Sequence, residues 1–222
     1  MGITHPVASA ANFANTSGTQ VSASITPAVG DLIAVGGLAN AGGTLSIADS
    51  DGNTWFTANP LFTNNAGLDV LQSWYCFAKS AVSTTITITA SNTNTFRVVL
   101  VDIFRGTDQS SRVLGPKIST VATTGSPLSG AIVLDADDCA VWAWCADSIT
   151  AVGNIDGAAA TKGADDTQQD WSEYALLSGR NGASVTASFT GASGTFSIGV
   201  VAWRPPIPYV ASQPFAITQR LG

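Results

Sequence analysis

Apolar and polar side chains alternate along most of this chain with a period of two. Thr85-Ile86-Thr87-Ile88-Thr89 is one clean case, and Ser184-Val185-Thr186-Ala187-Ser188-Phe189 is another. That period places successive side chains on opposite faces of a strand. It predicts strands over residues 21–25, 31–38, 44–48, 69–78, 84–90, 95–104, 131–134, 139–146, 171–178, 183–190 and 195–203. Turn signals fall between them, among them Asn40-Ala41-Gly42-Gly43, Asp51-Gly52-Asn53 and Gly179-Arg180-Asn181-Gly182. No stretch keeps an apolar period of 3.6 for three turns. The pattern predicts an all-β fold, an antiparallel two-sheet sandwich of jelly-roll type.

The strand pattern repeats. Asp31-Leu32-Ile33-Ala34-Val35 has a counterpart in Asp138-Cys139-Ala140-Val141-Trp142, and Ser73-Trp74-Tyr75 in Ser172-Glu173-Tyr174. Phe96 to Arg105 returns as Phe196 to Arg204. Two arrangements follow: two tandem sandwiches, or two halves (about 20–105 and 131–204) pooling strands in one sandwich over 19–204. The pooled form is preferred, because halves of roughly 80 residues with few bulky groups make marginal cores. Residues 105–130 then cross between the halves, and residues 1–18 form an N-terminal arm without period.

Composition narrows the function. Charged residues make up 11% of the 222, against roughly 25% in an average soluble domain. Glu occurs once, at Glu173, and Lys three times. A net charge of -6 argues against an electrostatic grip on nucleic acid, which needs clustered Lys and Arg. The chain opens without a basic and apolar leader, and its apolar runs are too short to span a bilayer, so neither secretion nor membrane insertion is expected. The three cysteines, Cys76, Cys139 and Cys145, read as buried thiols of a protein made in a reducing compartment. Cys139 and Cys145, on one strand, lie about 20 Å apart, too far for a disulfide.

Chemistry is sparse. His5 is the single histidine and reads as a solvent-exposed terminal residue, so no catalytic residues of triad type are expected. Asp102 shares a strand face with Phe96, Val98, Leu100 and Phe104, and Ala202 stands at its place in the second half. There it either carries a raised pKa or bonds to the backbone, Arg97 or Arg105. Asp49, Asp51 and Asn53 offer oxygens at alternate positions, as calcium loops do, but no bidentate Glu follows. They read as a hairpin turn, and no metal or cofactor is assigned. Ala164 to Asp170 reads as a solvated acidic loop. Trp142 and Trp144 share one face of their strand: outward, they would stack on sugar rings; inward, they fill a core.

Residues 205–222 form a proline-rich extended arm. Pro205, Pro206 and Pro208 deny it a central ladder position, yet Ile207, Tyr209, Phe215, Ile217 and Leu221 are apolar. Such an arm is expected to lie on a neighbouring subunit.

Pro27 to Val35, then Asp49-Ser50-Asp51-Gly52-Asn53-Thr54-Trp55, then Trp74 to Lys79 before the Thr/Ile strand, resemble the β-sandwich domains of tailed-bacteriophage virion proteins. The resemblance covers about residues 20–105 and is echoed in the second half. It implies a non-enzymatic virion component made in the bacterial cytoplasm. A head decoration (cement) protein is favoured, bound to the major capsid protein or other virion proteins and assembled with itself as a homotrimer. The alternative is a receptor- or glycan-binding module of a tail fibre or baseplate, with carbohydrate as its partner. A polysaccharide-cleaving enzyme ranks last, for want of an acid/base pair.

Overall fold

A computed structural model describes residues 2–6, 9–14, 16–40, 42–64, 69–94, 96–110, 114–124, 128–146, 149–165, 170–191 and 193–206. Among these there is no helix. The first half carries β1 (Ala10–Ala14), β2 (Gly18–Ile25), β3 (Leu32–Ala39), β4 (Leu45–Asp49), β5 (Phe56–Asn64), β6 (Asp69–Phe77), β7 (Thr84–Asn94) and β8 (Arg97–Phe104). The second begins with β9 (Leu114–Thr124), β10 (Ile132–Val133), β11 (Cys139–Ala146), β12 (Ile149–Ile155) and β13 (Ala158–Ala159). It ends with β14 (Thr161–Asp165), β15 (Trp171–Leu177), β16 (Ser184–Val185), β17 (Ala187–Gly191) and β18 (Ser193–Trp203).

The antiparallel all-β fold is the one the alternation predicts, and each predicted stretch overlaps a strand. In the first half a five-stranded sheet, β1-β8-β3-β6-β5, accompanies a three-stranded one, β2-β7-β4. The second half mirrors this with β14-β15-β11-β18-β9 and β13-β12-β17, plus the short pair β10-β16. Each half thus has its own pair of larger sheets, and among the described residues no sheet mixes strands from both. Strand pairing therefore follows the tandem form of the repeat rather than the pooled one.

Three apolar clusters explain how halves of this size are stable. Ile33, Val35, Val99 and Val101 face β2, β4 and β7 inside the first half. Val141, Ala143, Ile198 and Val200 face Ile149, Ile155 and Phe189 inside the second. The opposite faces of the same strands form a third cluster, in which Leu32, Ala34, Leu100 and Phe104 meet Trp142, Trp144, Val201 and Trp203. The two large sheets are thus packed back to back, and their central strands are buried on both faces. Neither half relies on a single sandwich core. Each also buries its outer face against the other, which is a large apolar gain at roughly 25 cal/mol per Å².

The N-terminal residues are part of this frame rather than a free arm. β1 pairs with β8, Ala10 opposite Val101 and Ala14 opposite Arg97. Thr4 exchanges both backbone hydrogen bonds with Arg105, each 2.9 Å. The guanidinium of Arg97 is buried and donates to the carbonyls of Thr16, Gly18 and Gln20, which fixes the passage from β1 to β2.

Candidate functional site

Strand registers show which positions are equivalent in the two halves. Ala34 pairs with Asp102 on one side and Tyr75 on the other, while Trp142 pairs with Val201 and Tyr174. The counterpart of Asp102 is therefore Val201, and not the Ala202 suggested by sequence spacing. Ala202 points into the second-half core. The same registers match Phe104 to Trp203 and Ser73 to Ser172. Contacts across the joint obey this equivalence. Tyr75 meets Trp203 edge-on at 6.1 Å, Tyr174 meets Phe104 edge-on at 5.7 Å, and Phe104 meets Trp203 at 5.8 Å. The halves pack as the subunits of a twofold dimer do, each position meeting its partner's complement.

Asp102 breaks that symmetry. It is fully buried where the second half has a valine, and its carboxylate gathers donors from both halves. Trp142 Nε1 donates to Oδ2 at 2.7 Å, and Ser172 Oγ donates to the same oxygen. Ser9 Oγ donates to Oδ1, and His5 Nε2 lies 3.1 Å from that oxygen. Ser172 is itself held by the Ala164 N–H at 2.7 Å. Neither Arg97 nor Arg105 reaches Asp102. Arg105 instead pairs with both oxygens of Asp31, at 2.7 and 2.8 Å.

Burial is the largest single influence on Asp102 and pushes its pKa up. Hydrogen bonds from His5, Ser172, Ser9 and Trp142 together outweigh it and hold the carboxyl below its ordinary value. Asp102 therefore does not carry the raised pKa that would suit a general acid. Tyr174 shifts the other way: burial first, then the Asp102 charge, push its hydroxyl up.

His5 is not a solvent-exposed terminal residue. Its side chain is 9% exposed, stacked on Tyr174 at 4.2 Å and set edge-on to Phe104 at 5.3 Å. The group holds a serine, a histidine and an aspartate, but not in relay order. A relay engages the two ring nitrogens separately, whereas Asp102 and Ser9 both approach Nε2. The β14 backbone lies directly against the group, since a Cβ built on Gly163 would come within 2.6 Å of Asp102 Oδ1. This arrangement binds four chain segments together: the N-terminal segment, β8, β11 and β15.

Trp142 and Trp144 are 0% and 1% exposed and lie 6.4 Å apart within the joint, so the outward, sugar-stacking reading is replaced by the core one. Asp49 accepts the backbone N–H of Asp51 at 2.8 Å and of Asn53 at 3.1 Å, and Trp55 Nε1 at 2.6 Å. Its oxygens are thus committed to shaping a turn. That turn links β4 and β5, which lie in different sheets, and is no hairpin. Among the described residues no cluster of His, Cys, Asp or Glu could hold a metal ion. In the acidic loop Asp165 is exposed but Asp170 is buried, and residues 166–169 lie outside the described residues. Pro205 and Pro206 leave β18 beside Arg204 and Asp135 to Asp138. Ile207, Pro208, Tyr209, Phe215, Ile217 and Leu221 lie outside the described residues.

Sequence reasoning singled out Asp102 but not Ser9, Ser172 or Tyr174 as its surroundings. The one available signal was the repeated Ser-x-Tyr of β6 and β15, whose serines face the joint in both halves. In the first half the Asn59 N–H donates to Ser73 Oγ at 3.0 Å, as Ala164 does to Ser172.

No family model matches the chain, and no curated protein matches it. A solved structure described as an anti-sigma factor domain-containing protein aligns over 88% of this chain and 93% of its own, at 7% identity and a TM-score of 0.24. A likeness that weak carries no argument.

Proposed function

We propose that this chain is a non-enzymatic structural protein of a tailed-bacteriophage particle, a decoration protein that binds the capsid surface and stabilises the shell. Its partners on this reading are copies of itself, as a trimer, and the major capsid protein. The observation that carries the reading is the use made of its reactive and aromatic groups. Asp102, His5, Trp142, Trp144 and Trp203 all serve the joint between two sandwiches, which makes a stiff four-layered body. The resemblance of residues 20–105 to virion sandwiches points the same way. The apolar residues of the 205–222 arm supply a means of adhesion, and many weak contacts on a symmetric shell add up through multivalency. The glycan-binding alternative rested on outward tryptophan rings, and no other observation favours it.

Purified phage heads lacking surface decoration provide the test. The full chain is expected to cosediment with them saturably and to raise the temperature at which they release DNA. Replacing Tyr209, Phe215, Ile217 and Leu221 together by serine is expected to weaken binding with the fold intact. A protein that stays monomeric and leaves heads untouched at micromolar concentration refutes the proposal.

A further inference from the structure

We propose that residues 2–6 and 9–14 form a latch that closes the joint between the two sandwiches, with His5 as its pin. This inference concerns the molecule's own conformation and stands apart from the virion reading.

The segment touches both halves along its length. Ile3 is buried in the joint cluster, and the same shallow depression is lined by Gly2, Ile3, Leu176 and Leu177. Thr4 is tied to Arg105 at the end of β8. β1 then adds an edge to the first large sheet and packs against β14 of the second. Its side chains divide accordingly: Ala11 and Phe13 pack on the joint, Ala10 and Ala14 on the first-half core.

His5 is where the pieces meet. Its ring lies on Tyr174 of the second half and against Phe104 of the first, and its Nε2 reaches the carboxylate that also takes Trp142 and Ser172. Removing the imidazole therefore strips Asp102 of a donor and Tyr174 of its stacking partner in one step. The sandwich cores do not include it. Val35, Ile88 and Val101 in the first, and Val141, Phe189 and Ile198 in the second, belong to clusters that contain neither of His5's ring partners, Phe104 and Tyr174. Opening at the joint can thus precede unfolding of either half, as local openings do in layered proteins.

Hydrogen exchange on the full chain carrying His5→Ala reads this directly. Amides of β1 and β14 are expected to exchange on the order of tenfold faster, while those of β7 and β17, in the outer sheets, stay within about twofold. Acrylamide quenching of tryptophan emission is expected to rise in the same variant, because Trp142, Trp144 and Trp203 line the joint. Acceleration shared equally by β7 and β17 overturns the latch, since joint and cores would then open as one unit. Unchanged exchange overturns it too. So does failure of the His5→Ala chain to fold, which would make both cores depend on the pin.

Discussion

The indole of Trp144 lies against the backbone of Gly36 across the joint, so closely that a Cβ on Gly36 would stand 2.9 Å from ring atom Cδ2. The two residues occupy equivalent places in their halves: Gly36 pairs with Leu100 and Ser73, Trp144 with Gly199 and Ser172. A glycine in one half therefore admits a tryptophan from the other. Gly199 is tighter still, its Cβ falling 2.2 Å from Trp144 Nε1.

Gly36→Ala is accordingly expected to cost about 1–3 kcal/mol, the usual range for overpacking, and Gly199→Ala at least as much. Gly2→Ala, with nothing within 4 Å, should change little. Urea denaturation of the three variants ranks them. Combining Gly36→Ala with Trp144→Phe should cost less than the sum of the two, since the smaller ring vacates part of the contested space. Additive costs would show that the contact is not the source of strain.

Asp102 makes stability sensitive to acid. Its folded pKa is lowered, so the stabilisation it contributes is fully present above the unfolded value near 4 and is lost as pH falls through the folded value. Chemical denaturation across the acid range should show wild-type stability falling there, and Asp102→Asn should flatten that part of the profile. At neutral pH Asp102→Asn is expected to destabilise by about 3–5 kcal/mol, because one charged acceptor of a buried set has been removed. An unchanged acid slope in the variant would locate the acid sensitivity elsewhere.

The thiols offer a simple probe of core integrity. Cys76, Cys139 and Cys145 are all buried, and none is in a disulfide. Burial pushes Cys139 up to about 11, assisted by the charges of Asp135 and Asp138, and pushes Cys76 up as well. A disulfide reagent at pH 8 should therefore label less than one thiol per native chain and all three after denaturation. Rapid labelling of Cys139 in the native state would mean that the second-half core opens readily.

The strands legible in the sequence are those whose alternation is driven by a buried face, such as β7, β8 and β11. Those that escaped notice lack that drive. β1 is mostly Ala, with Asn12 and a single Phe, β5 carries Asn59 and Pro60, and β12 is interrupted by register shifts near Gly153. Asp156-Gly157 is a turn signal in the sequence, where both residues have positive φ (58° and 76°) and close the two-residue hairpin of β12 and β13. Burial of Asp102 was legible from its face. Its donors were not, because Ser9, Ser172 and Trp142 reach it from segments 93, 70 and 40 positions away. The inward turn of Trp142 and Trp144 depended on the same missing fact, the back-to-back joint.

Glu173, the single glutamate, sits where the first half has Trp74: Val35 pairs with Trp74, and Ala143 with Glu173. It is fully buried, with Oε2 taking the Gly153 N–H at 2.8 Å and no hydrogen-bond partner for Oε1 among the described residues. Burial pushes its pKa up from 4.5 to about 8, against the modest pull of the Gly153 bond. In this case the folded state holds a proton that the unfolded chain has released. Stability therefore declines as pH rises from about 4.5 toward 8 and levels off above that. Glu173→Gln should remove this decline and leave the variant more stable than wild type at pH 8 by a few kcal/mol, since each tenfold difference in proton affinity between folded and unfolded chain is worth about 1.4 kcal/mol. Glu173→Met, which fills part of the space that Trp74 occupies in the other half, should act in the same direction. Thermal melts from pH 5 to 9 decide the matter: a wild-type Tm that stays flat over that range would place an ionised, compensated carboxylate at this position.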